Sequence, residues 1–131
     1  MTIAEKRDLN GLVRHGRKDA EVSAVILFGS SAHGKSGKGS DVDVCLLLQP
    51  RPYGAKELSG KKLAYLKLFD LDVQVFQQLP LYLKKRVIAE GRILLCKDEN
   101  ALYDTAFSVI REFADFEHIY RDYLKEVAHA G

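Results

Sequence analysis

The segment from Gly29 to Gly39 decides most of what this chain can become, because it concentrates four of the ten glycines between two short apolar runs. Val22-Ser-Ala-Val-Ile-Leu-Phe28 before it and Val42-Asp-Val-Cys-Leu-Leu-Leu48 after it are rich in β-branched and apolar residues and read as buried strands. Gly37, Lys38, Gly39 and Ser40 stand directly ahead of the second run, and so flexible a stretch cannot start a stable helix. The two strands are therefore joined by a loop alone. Whatever chemistry the chain possesses has to be built around that loop.

The rest of the chain supplies one compact frame. With 131 residues, 47% of them apolar, residues 1–131 make a single domain, which excludes multidomain polymerases, large dehydrogenases and motors. Twenty Lys and Arg against 18 Asp and Glu leave a charge of +2, too little for a protein that coats nucleic acid, so no direct nucleic-acid partner is expected. Apolar runs such as Ala24 to Phe28 are five residues long, so neither a signal peptide nor a membrane span is expected. Cys45 and Cys96 sit inside apolar runs and read as two buried thiols, which suits a reducing cytoplasm.

Apolar spacing predicts a helix over Ile3 to Asp19 and another between Gly54 and Phe69, with Gly60 weakening its first half. Leu71 to Gln77 alternates as a strand. Leu79 to Glu90 reads as a helix with Pro80 in its first turn and Gly91 as its stop, and Arg92 to Cys96 as a short strand. From Leu102 to Val127 apolar residues step by four and three without a break, which predicts one helix of about eight turns. Most of its stripe is expected to pack on the sheet, with distal Tyr120 and Tyr123 left for an oligomer, a homodimer included, or another partner.

Two motifs compete for the glycine loop. Gly29-Ser-Ser-Ala-His-Gly-Lys-Ser36 matches the phosphate-loop pattern G-x-x-x-x-G-K-[ST] and follows a strand. That motif works by running into a helix whose N-terminus faces the phosphates, and here Ser36 leads into Gly37, Lys38, Gly39 and a strand. The other motif joins Gly29-Ser30, across ten residues, to Asp41-Val42-Asp43. Residues two apart on a strand share a face, so Asp41 and Asp43 converge and repel unless a divalent cation lies between them. Asp72 adds a third carboxylate, with Leu71, Val73 and Val75 on the opposite face of its strand. If the strands of Asp43 and Asp72 are neighbours, the three acids form one cluster able to hold Mg²⁺ for phosphoryl or nucleotidyl transfer.

Gly29-Ser30, Asp41-x-Asp43 and a strand-borne Asp72 together resemble the nucleotidyltransferase fold of the polymerase-β superfamily in its shortest form. The similarity is greatest to the minimal nucleotidyltransferases, MntA-like antitoxins of HEPN-domain toxins. It covers Ala24 to Phe76, and Asp115-Phe-Glu-His-Ile-Tyr-Arg-Asp-Tyr123 resembles that group's tail helix. The resemblance implies an α/β (α+β) domain with a small mixed sheet of three to four strands packed by helices, and a long C-terminal helix. It also implies that Gly29, Ser30 and Lys35 bind ATP, that Asp41 and Asp43 hold two Mg²⁺ ions, and that Asp72 ligates one of them or takes a proton. AMP would pass to a tyrosine hydroxyl of the HEPN toxin. Ser31 and His33 stand where this family often carries basic residues, which Lys35 and Lys38 could replace.

Other readings stay beside this one. A contact-only antitoxin of the same shape needs no chemistry, and a small-molecule nucleotidyltransferase would use the same acids. Arg111 and His118 satisfy the R-x4–6-H spacing of HEPN ribonucleases, but those domains are all-helical and this chain has strands, so the pair reads as a solvated helix face. His15 and His129 sit without metal-ligand spacing.

Overall fold

A computed structural model describes residues 1–29 and 42–129. The elements run α1 (Ile3–Lys18), β1 (Val22–Phe28), β2 (Asp43–Leu48), α2 (Ala55–Leu68), β3 (Asp72–Val75), a 3-10 turn (Phe76–Gln78), α3 (Leu81–Glu90), β4 (Arg92–Cys96) and α4 (Glu99–His129). Thr2 and Glu5 cap α1 reciprocally, the Thr2 hydroxyl accepting from Glu5 N at 3.1 Å and Glu5 Oε1 accepting from Thr2 N at 2.9 Å.

The sheet order is β3-β2-β1-β4. β1 is antiparallel to both β2 and β4, whereas β3 is parallel to β2. A parallel neighbour needs a crossover, and α2 supplies it. Burial follows the strand alternation on both faces. Val25 and Leu27 of β1 with Val44, Leu46 and Leu48 of β2 meet Leu12 of α1 and Tyr65 of α2 on one face. Ala24, Ile26, Cys45 and Leu47 meet Val87 of α3 and Leu102 and Val109 of α4 on the other. Helices therefore cover both sides of β1 and β2, which explains why these two read as continuous apolar runs.

Several boundaries differ from the sequence expectation. β3 stops at Val75, two residues short of Gln77, because the Gln77 side chain replaces the backbone ladder. Its amide donates to Leu48 O at 3.0 Å and its carbonyl accepts from Leu48 N at 3.2 Å. α3 starts at Leu81, since Pro80 has extended ψ of 158° and caps the helix from outside. Cys96 is half-buried on the edge strand β4 instead of fully buried like Cys45.

The largest difference concerns α4. Leu102 and Val109 are buried and Phe113 is half-buried, but every described residue from Ala114 to His129 is exposed. The helix has 31 residues, which at 1.5 Å each spans about 46 Å, while strands of this length span about 20 Å. Packing on the sheet for most of the helix is thus geometrically impossible.

Candidate active site

Three strand ends meet at one edge of the sheet. β1 finishes at Phe28, and β2 and β3 begin at Asp43 and Asp72. Phe28 pairs with Asp43 across the antiparallel ladder, and Asp43 pairs with Asp72 across the parallel one. Neighbouring strands lie about 5 Å apart, so the two carboxylates start level and close. Val44 and Val73 point into the α1/α2 core, which turns Asp43 and Asp72 to the opposite face, on the side of α3. Both acids are half-buried.

Gly29 closes this edge. Its φ of +75° lies in the left-handed region, and a Cβ there would stand 2.6 Å from Asp43 Oδ2. Glycine is required twice over, for its backbone conformation and for the approach of the Asp43 carboxylate. Asp72 is held from its own strand: Gln74 Nε2 donates to Asp72 Oδ1 at 3.1 Å, and Lys62 Nζ donates to Gln74 Oε1 at 3.1 Å. Because an ammonium only donates, Lys62 turns the amide oxygen toward itself and the amide NH₂ toward Asp72.

A cavity of about 220 Å³ opens beside Gly29 and Asp43, with Phe28, Leu83, Arg86 and Glu90 as its other walls, while Asp72 lines a separate cleft with Val42, Leu66 and Leu71. Arg86 pairs with Glu90 through Nε at 3.3 Å, so a guanidinium stands on the wall of the cavity that Asp43 enters. Sequence reasoning missed Arg86. No motif marks it, and only the packing of α3 over the β1 and β2 ends brings it here.

Of the residues expected from sequence, Gly29, Asp43 and Asp72 come together, while Ser30, Lys35 and Asp41 lie outside the described residues, as do Ser31, His33, Ser36 and Lys38. Among the described residues no group of three His, Cys, Asp or Glu is placed to share a metal ion, which leaves Asp43 and Asp72 as the described part of the expected cluster. The phosphate-loop reading fails on topology, since β2 returns antiparallel beside β1, whereas that motif belongs to a parallel strand–helix–strand unit. Arg111 and His118 both lie on the exposed surface of α4, where His118 Nε2 is 3.4 Å from Asp122 Oδ2. His15 packs edge-on against Tyr65, with ring centroids 5.0 Å apart. No helix among the described residues is long and apolar enough to cross a membrane.

The family profile described as Polymerase beta, Nucleotidyltransferase matches residues 11–100, well over half of the chain. The chain belongs to the polymerase β nucleotidyltransferase family. This nucleotidyltransferase is also 27% identical over 108 residues to "Putative protein adenylyltransferase MJ1547" of Methanocaldococcus jannaschii, covering 82% of this chain and 77% of the relative. Among solved structures, a toxin-antitoxin crystal structure with AMP-PNP superposes with a TM-score of 0.66 at 18% identity, covering 94% of this chain and 98% of the other. The tri-AMPylated Shewanella oneidensis HEPN toxin in complex with MNT antitoxin has a matching chain at TM-score 0.62 and 15% identity, covering 95% and 96%. At such identities the structural likeness establishes the shared fold. It extends over nearly the whole chain, whereas the family profile ends at residue 100, just inside α4.

Proposed function

We propose that this nucleotidyltransferase transfers AMP from ATP to a tyrosine hydroxyl of a helical HEPN-type toxin and thereby acts as its antitoxin. The observation that carries the reading is the level pairing of Asp43 with Asp72 beside Gly29. Like charges placed side by side repel, and no packing benefit accounts for two acids at adjoining strand starts. The 27% identical relative described as a protein adenylyltransferase supports the reaction class, and the toxin-antitoxin complexes of the same fold support the partner.

The residues fit Mg²⁺. Asp43 and Asp72 are hard oxygen donors, half-open to solvent and converging on one face, and Asp41 lies two residues before Asp43. Asp41, Asp43 and Asp72 would hold the metal, two ions in the full arrangement. Bound there, it neutralises triphosphate charge and lowers the pKa of the acceptor hydroxyl.

The chain's own groups do the rest. Gly29 leaves room at the sheet edge for the nucleotide's phosphates, and Ser30 offers a hydroxyl to them. Lys35 and Arg86 add positive charge, Arg86 from the wall of the cavity that contains Asp43. The tyrosine oxygen attacks the α-phosphorus, the bond to the β-phosphate oxygen breaks, and pyrophosphate leaves. Asp72, aimed by Gln74, accepts the tyrosine proton.

The test is transfer of label from α-labelled ATP to the toxin with Mg²⁺ present. Asp43→Asn and Asp72→Asn are each expected to lower transfer about 100-fold or more while leaving the fold intact. Equal labelling by wild type and both variants would overturn the site. Toxin still silenced in cells by the double variant would favour neutralisation by contact alone.

A further inference from the structure

α4 carries one apolar seam along its length, and only half of it is covered. From Leu102 to Val127 apolar residues recur at alternating spacings of four and three, the a and d positions of a heptad. The domain's cover ends at Phe113, where Lys85 Nζ of α3 sits 4.2 Å from the ring centroid. Beyond it Phe116, Tyr120, Tyr123 and Val127 continue the same seam with exposures of 53% to 60%. Ile119 and Leu124 widen it on either side and are exposed as well. A strict 3.5-residue period keeps a stripe facing another helix, and it persists here where the sheet no longer lies beneath it.

The flanks of the seam indicate what covers it. Between Tyr103 and Glu126 the positions beside the seam hold three charged residues, Glu112, Glu117 and Glu126, and no Lys or Arg. Arg111, His118 and Lys125 lie on the opposite, outer face of the helix. In self-pairing through these flanks the glutamates therefore meet another glutamate, Thr105 or an apolar side chain, never a Lys or Arg of the second copy. Parallel pairing, for example, sets Glu112 against Glu117 of the second copy, five residues on.

We infer that the open half of the α4 seam docks an amphipathic helix of a partner protein that carries Lys or Arg beside its own apolar stripe. For the partner's identity the inference rests on the toxin pairing proposed above; the surface itself does not depend on it.

The probe is a fluorescent peptide of roughly three heptads with Ile at a, Leu at d and Lys at e and g, which repel and prevent its self-association. A second peptide carries Glu at e and g. Anisotropy titration is expected to show the Lys peptide binding about tenfold or more tightly than the Glu peptide. Glu112→Lys/Glu117→Lys/Glu126→Lys, all on exposed helix surface, should reverse that order, and Tyr120→Asp should weaken binding of the preferred peptide about tenfold. Equal binding of both peptides, binding of neither, or a wild-type dimer in sedimentation that Tyr120→Asp dissociates would each overturn the inference. Asp43→Asn separates the two proposals: it should lose AMP transfer and keep wild-type peptide binding. Peptide binding without transfer to any toxin would count against the enzymatic reading alone.

Discussion

Replacing Gly29 with alanine asks two separate things of the site. The first is conformational: at φ +75° an L-residue costs about 1–2 kcal/mol more than glycine. The second is steric: the new Cβ would lie 2.6 Å from Asp43 Oδ2, whereas a close carbon–oxygen contact is about 3.3 Å. The oxygen must retreat by roughly 0.7 Å, the difference between those two distances. Asp43 Cγ and Cβ, at 3.4 and 3.6 Å, are at ordinary separations, so the carboxylate can swing aside without moving the strand. Stability should therefore fall by only about 1–2 kcal/mol, because the clash is relieved at the end of one side chain. Transfer of AMP should fall about 100-fold, since a displacement approaching 1 Å is enough to spoil a reacting geometry. Urea denaturation measures the first quantity and label transfer at matched folded fraction the second. Gly60→Ala is the control: a Cβ in the middle of α2 meets nothing within 4 Å and should add about 0.5–1 kcal/mol of stability with unchanged transfer. Wild-type transfer by folded Gly29→Ala would refute the reasoning, because it would mean that the position of the Asp43 carboxylate does not matter.

Gln74→Leu removes the donor that aims Asp72 and should lower kcat about tenfold with little change in the KM for ATP or in Tm; a change in KM alone would deny Gln74 its positioning role. Asp19 anchors α1 to α2, accepting from Lys61 Nζ and Tyr65 OH, both at 2.9 Å. Burial pushes its carboxyl up, but hydrogen bonds from Lys61, Tyr65 and the Glu21 amide outweigh that and hold it below the ordinary 3.8. A depressed carboxyl stabilises fully above its unfolded value, about 3.9, and that stability is lost as the pH falls through the folded value. Asp19→Asn should cost about 2 kcal/mol at pH 7 and flatten the acid limb of a urea-midpoint profile below about pH 4, and parallel wild-type and variant profiles would contradict this.

β1 and β2 were legible because burial on both faces leaves a local signature, a continuous apolar run on each side of a glycine loop. β3 was overextended because a side-chain amide at Gln77 imitates the next ladder residue, and nothing in a period-two pattern distinguishes the two. The α4 stripe was read correctly as a period and wrongly as mostly covered, since periodicity says which face is apolar and not how far the sheet reaches. Arg86 carried no signal at all.

The sequence by itself determined the local quantities: where glycine permits a left-handed turn, where acids fall on a strand, and which residues of α4 share a seam. Each follows from chain geometry over a few residues. Only the tertiary structure decided that Asp43 stands level with Asp72, that α3 brings Arg86 to the cavity lined by Asp43, and that the α4 seam is left open beyond Phe113. Those depend on which strands the α2 crossover sets side by side and on how far a four-stranded sheet extends beneath a 31-residue helix, neither of which any local pattern encodes.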